Sequence, residues 1–148
     1  NGGGGDGRVV TTGFDHVAKD EAIDLPELLP EFESAELKEA DSGRASLTWK
    51  YPATATVPDV TQTFVGFEVS DSTYGNWNAF APQGMRDVRF PELPADLDLL
   101  VPRNVGYYQV RMSDADYVTS YLDAVSSSTK RPLVFTEQSA YLGRRVAE

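Results

Sequence analysis

Between residues 44 and 51 the apolar side chains Ala45, Leu47, Trp49 and Tyr51 fall on every second position, alternating with Ser46, Thr48 and Lys50. That period of two is the pattern of a strand with one buried face. Asp41-Ser42-Gly43 just before it has turn chemistry, including a glycine free to take positive φ. Residues 34–40 then become the partner strand of a hairpin, with Ala35 and Leu37 facing inward. Residues 30–40 also carry good helix formers, among them Glu31, Glu36, Leu37 and Lys38, behind a proline suited to a first helical turn. The hairpin is the stronger expectation, because the strand after the turn needs a neighbour.

Further strands are expected at intervals near a dozen residues. Residues 8–14 are rich in β-branched side chains. Residues 61–70 put Val65, Phe67 and Val69 on one face, and residues 76–81 set Trp77, Ala79 and Ala81 opposite Asn78 and Phe80. Arg86, Val88 and Phe90 alternate with Met85, Asp87 and Arg89. In residues 104–113, Tyr108, Val110 and Met112 lie on one side, with Tyr107, Gln109 and Arg111 on the other. Residues 133–136 and 141–146 read as two separate short strands. Prolines 52, 58, 82, 91, 94, 102 and 132 fall at the ends of these runs, where a missing amide donor harms no ladder. Residues 114–125 suggest one short helix, capped by Ser113 or Asp114.

This spacing predicts an all-β chain folded as an antiparallel β-sandwich, possible short helix included. Ala45-Ser46-Leu47-Thr48-Trp49 resembles the second strand of fibronectin-type and immunoglobulin-like domains, which implies a Trp buried against the opposite sheet. Residues 1–7, Asn1-Gly2-Gly3-Gly4-Gly5-Asp6-Gly7, read as a flexible leader, and residues 8–148 as a single sandwich domain. The leader has no lysine and no strand before it, so it is not a phosphate loop. It resembles the tail that follows the lipidated cysteine of mature bacterial lipoproteins. That likeness, and a chain that starts at Asn1, imply a signal segment removed upstream, a possible lipid anchor there, and an extracytoplasmic address: periplasm, outer-membrane surface or secreted.

Composition narrows the chemistry. The chain has 148 residues and a formal charge of −10, from 13 basic and 23 acidic residues. An acidic domain of this kind does not displace counterions from phosphates, so a nucleic-acid partner is not expected. No apolar run approaches the roughly 20 residues of a membrane-spanning helix. There is no cysteine, which removes thiolate, disulfide and iron–sulfur chemistry, and His16 is the single histidine, which removes multi-histidine zinc sites. No cofactor is expected.

Three groupings could carry function. The first is the polar stretch 70–78, read as a loop, in which Tyr74, Asn76, Trp77 and Asn78 form a candidate ligand-binding site. Aromatic rings anchor protein interfaces and stack on the C–H faces of sugars, while asparagines bond hydroxyls. The plainer alternative is that Tyr74 and Trp77 merely cover the end of the core. The second is the set of neighbouring acids Asp96 and Asp98, Asp114 and Asp116, with Asp123, which has the oxygen chemistry of Ca²⁺ but not the spacing of an EF-hand. The third is a carboxylate pair able to hydrolyse a glycosidic bond, for which no segment isolates one acid in an apolar pocket.

The expected function is therefore a non-catalytic, exported binding domain that engages a protein or glycan partner. One alternative is a structural subunit in which residues 8–17 add as a strand to a neighbour's sheet edge. A small carbohydrate-active enzyme is the remaining alternative.

Overall fold

Strand propensity and alternation produce the elements the chain forms. The computed structural model describes residues 5–13, 28–38, 45–53, 57–70, 73–91, 94, 96, 105–126 and 135–146. Among them are β1 (Asp6–Gly13), β2 (Ser34–Lys38), β3 (Ser46–Lys50), β4 (Val60–Ser70), β5 (Thr73–Pro82), β6 (Asp87–Arg89), β7 (Val105–Ala115) and β8 (Phe135–Arg145). One short helix, α1 (Tyr121–Val125), lies between β7 and β8. The strands form two antiparallel sheets, of order β1-β8-β7-β4-β5 and β2-β3-β6.

Residues 34–38 are a strand and not a helix. Ala35 pairs with Trp49 and Leu37 with Leu47, so the inward positions of β2 and β3 coincide. The connecting residues 41–43 lie outside the described residues. On the other face Glu36, Thr48 and Asp87 form one row, and Lys38, Ser46 and Arg89 the next.

The two sheets pack face to face through the alternate positions that the pattern marks as apolar. Leu47 and Trp49 from the smaller sheet, with Phe90, meet Val65, Phe67, Val110, Met112 and Ala140 from the larger one. A half-buried Tyr108 ties the layers with a hydrogen bond, its hydroxyl donating to the Ala35 carbonyl at 3.0 Å. Burial holds the Tyr108 phenol above its ordinary pKa, against the opposing pull of Arg144 and with a smaller push from Glu36.

One end of the sandwich is closed by residues 28–30. Leu29 is buried in the core, and its N–H donates to Oε1 of buried Gln138 at 2.8 Å. The Gln138 amide nitrogen donates in turn to Asp114 Oδ2 at 3.1 Å. A buried side chain in this position has to satisfy its polar atoms, and these two bonds use both ends of the amide.

Three expectations need correction. Residues 135–145 form one continuous strand, not two separated by a break, because β8 lies between β1 and β7 and is held by both. Ser113 and Asp114 belong to β7; the helix starts later, capped by Ser120, whose hydroxyl accepts from the Asp123 N–H. Residues 73–75, assigned to a loop, extend the strand expected from residue 76. In addition β1 begins at Asp6, two residues before the β-branched run, and Gly143 N–H donates to the Gly5 carbonyl.

Candidate functional site

The four residues singled out from the sequence all lie on β5, the edge strand of the larger sheet. Alternation along that strand divides them. Tyr74, Asn76 and Asn78 point outward, with Tyr74 76% exposed and the Asn78 amide donating to Asn76 Oδ1 at 3.2 Å. Trp77 points the other way. It packs on the core, its ring edge-on to Phe90 at a centroid distance of 5.8 Å. For Trp77 the core-covering alternative is the one realised, and the structure does not bring it together with the other three. Residues 71–72, at the hairpin tip, lie outside the described residues.

Register carries the outward set of β5 across the sheet. Phe80 stands beside Gln62, Arg111 and Tyr141; Asn78 beside Phe64, Gln109 and Gly143; Asn76 beside Gly66, Tyr107 and Arg145. The outcome is a face on which Phe64, Phe80, Tyr107 and Tyr141 alternate with the amides of Gln62, Gln109, Asn76 and Asn78. Among the described outward side chains of β4, β5, β7 and β8, the charged ones are Glu68, Arg111, Glu137 and Arg145, two of each sign. A chain of net charge −10 thus has a neutral face.

Two of the rings are laid down on the sheet because the neighbouring strand has a glycine beneath them. A Cβ placed on Gly143 would collide with the Tyr107 hydroxyl and stand 3.1 Å from its Cζ. A Cβ on Gly7 would stand 2.8 Å from the Tyr141 hydroxyl and 3.1 Å from Cε1, while the other edge of that ring reaches toward Gly5. Each tyrosine therefore rests over backbone, and both are partly exposed. Phe64 and Tyr107 stand 6.2 Å apart, tilted by 54°. Arg111 donates to the Ser139 hydroxyl at 3.3 Å, so its guanidinium is also drawn along the surface.

At one end this face meets α1. Tyr121 donates to the Phe80 carbonyl at 3.0 Å, and Tyr117 to Glu137 at 3.2 Å. Under the helix a hollow of about 230 Å³ is lined by Asp59, Asp114 and Glu137 together with Arg111 and Tyr117. This hollow brings three carboxylates together. Each acid is already engaged: Asp59 accepts from the Ala115 N–H at 2.9 Å, Asp114 from Gln138, and Glu137 from Tyr117. Burial pushes the Asp59 carboxyl up, the Ala115 N–H opposes that, and the charge of Asp114 adds to it. Asp123, partly exposed, is held below the usual carboxylate range by hydrogen bonds from Thr119 and Ser120. Among the described residues no three His, Cys, Asp or Glu side chains are grouped to hold a metal ion. His16 and Asp98 lie outside the described residues.

The outward face of the smaller sheet has a different character. It forms a shallow trough of about 660 Å³ lined by Glu36, Lys38, Lys50, Asp87 and Arg89. Opposite charges beside one another leave it well solvated. At its margin Arg86 stacks 3.6 Å above the ring of Tyr51, whose phenol burial pushes up and Arg86 pulls back. Among the described residues no helix is long and apolar enough to cross a membrane.

The sequence placed Tyr107, Gln109 and Arg111 on one side of their strand but did not connect them with Asn76 and Asn78, and Tyr141 went unnoticed. The signal that could have joined them is the glycines at 7, 66 and 143, which become informative only once strand register is known. The chain matches no protein-family model, and comparison with curated proteins and with solved structures finds no similar protein.

Proposed function

We propose that this chain is a non-catalytic, exported binding domain of the cell envelope or surface, and that it engages its partner through the outward face of the five-stranded sheet. The observation that carries the reading is the set of partly exposed rings, Phe64, Phe80, Tyr107 and Tyr141, interleaved with amides on a rigid sheet. Rings already held in place bury area on binding at small cost in side-chain entropy. Tyr74, Asn76 and Asn78 belong to the margin of this surface, while Trp77 belongs to the core.

The strand order supports an immunoglobulin-like reading of the fold. Sheets β2-β3-β6 and β8-β7-β4-β5 follow the A-B-E and G-F-C-C′ order of such domains, with β1 added outside β8. A lipid anchor upstream of residue 1 fits a domain that works at a surface. The self-assembling alternative is less well supported, because strand exchange would require β1 to leave β8, with which it pairs over eight positions.

The test is an array printed with both oligosaccharides and peptides, probed with the labelled full chain. Retention of the chain on one class, lost in a Tyr107→Ala/Tyr141→Ala variant and kept in Asp59→Asn, is the expected outcome. No retention on either class, or retention indifferent to the two tyrosines, overturns the reading.

A further inference from the structure

We infer that the partner of this face is an uncharged polysaccharide chain, an inference that rests on the proposed binding face and names its ligand. Three features of the surface lead there.

The first is the posture of the rings. Tyr107 and Tyr141 lean over Gly143 and Gly7, where ring atoms fill the space of a side chain, and both stay partly exposed. A flat aromatic side stacks on a planar or nearly planar partner: a nucleobase, another ring, or the apolar C–H face of a pyranose. A protein anchor residue, by contrast, looks for a pocket to enter, whereas Tyr107 and Tyr141 cover glycines of their own sheet.

The second is charge. A nucleobase arrives with its phosphate, and a chain of net charge −10 repels it. The face itself is balanced, Glu68 and Glu137 against Arg111 and Arg145, so it rewards neither a polyanion nor a polycation. A neutral ligand is the one that loses nothing here.

The third is the distribution of amides. Gln62, Gln109, Asn76 and Asn78 stand between the rings and offer both donors and acceptors, as hydroxyl groups require. The bearing strands β8, β7, β4 and β5 are adjacent, about 4.8 Å apart. In the register Phe80 and Tyr141 share one row, Phe64 stands in the next and Tyr107 in the one beyond, so a chain lying obliquely across the strands meets rings and amides in turn.

The experiment is native electrophoresis of the full chain through gels containing galactomannan, xyloglucan or hydroxyethyl cellulose, with alginate as the acidic counterpart. Retardation by at least one neutral polymer and not by alginate is expected. Tyr107→Leu should weaken it about tenfold, Tyr107→Phe should largely keep it, and Lys50→Ala on the opposite sheet should leave it unchanged. Thermal unfolding of each variant separates lost binding from lost folding, and the Phe variant preserves the ring where Leu removes it. Retardation by alginate alone, by none of the polymers, or equally in Tyr107→Leu overturns the inference. If it fails while peptides on the array still require Tyr107 and Tyr141, the ligand class is wrong and the binding face stands; if both fail, the face is wrong as well.

Discussion

The ring of Tyr107 occupies the space where Gly143, on the adjacent strand, would carry a side chain. Phe67 does the same over Gly75 on the inner side of the sheet, where a Cβ would stand 2.6 Å from its Cε2. The two pairs differ in what the ring can do if it is displaced. Phe67 is buried in the core, whereas Tyr107 can swing toward solvent. Gly75→Ala is therefore expected to cost about 1–3 kcal/mol through overpacking. Gly143→Ala should cost under about 1 kcal/mol, because the freed tyrosine relaxes and the alanine reduces unfolded-chain entropy. Urea unfolding of both variants checks the order; equal losses would mean that Tyr107 is as confined as Phe67.

Gln138 satisfies two groups that have no obvious substitute, the Leu29 N–H and the Asp114 carboxylate. Gln138→Ala leaves a buried donor without its acceptor as well as a void. A loss of about 2–3 kcal/mol is expected, with amide exchange at Leu29 accelerated. If Leu29 stays protected, the amide is not what holds the 28–30 segment.

Asp59 gives a pH dependence of defined sign. Its carboxyl titrates above the ordinary value in the folded chain, so the folded state prefers the protonated form. Protonated Asp59 favours folding below the unfolded-chain value, near pH 3.9, and that advantage disappears as pH rises through the folded value. Asp59→Asn keeps an acceptor for the Ala115 N–H and removes the charge. It should unfold at a slightly higher denaturant concentration than the parent at pH 7, by a fraction of a kcal/mol because solvent screens a partly exposed group. The difference should vanish near pH 3. A variant less stable than the parent at pH 7 would contradict the burial argument.

Trp49 is 2% exposed, and its indole N–H has no hydrogen-bond partner. Trp49→Ala should cost about 3–5 kcal/mol. Trp49→Phe removes the unsatisfied donor along with some volume, and the two effects oppose each other, so a loss under about 2 kcal/mol is expected. Thermal unfolding distinguishes them; a Phe variant as damaged as the Ala variant would mean that the indole itself, and not the volume removed, sets the cost.

Alternation made much of the fold legible from the residues alone. Leu47 and Trp49, Val65 and Phe67, and Val110 and Met112 turn inward as their spacing requires. What stayed hidden is anything decided between strands. Residues 73–75 look like a loop because threonine and glycine are common in turns, yet pairing with β4 holds them extended. The rings of Tyr107 and Tyr141 look alike in sequence to any half-exposed tyrosine, and only register shows that each has a glycine under it. Trp77 has the composition of a binding residue and the parity of a core residue, and parity wins because burying an indole outweighs the polarity of its neighbours.

Among the described residues the first strand pairs with the last: Asp6 faces Leu142 and Gly13 faces Phe135. β1 therefore has no partner in this sheet until β8 has been made, so the larger sheet cannot be finished early in synthesis. Until residue 145 is free, β7 shows a bare edge and Leu29 lacks its latch.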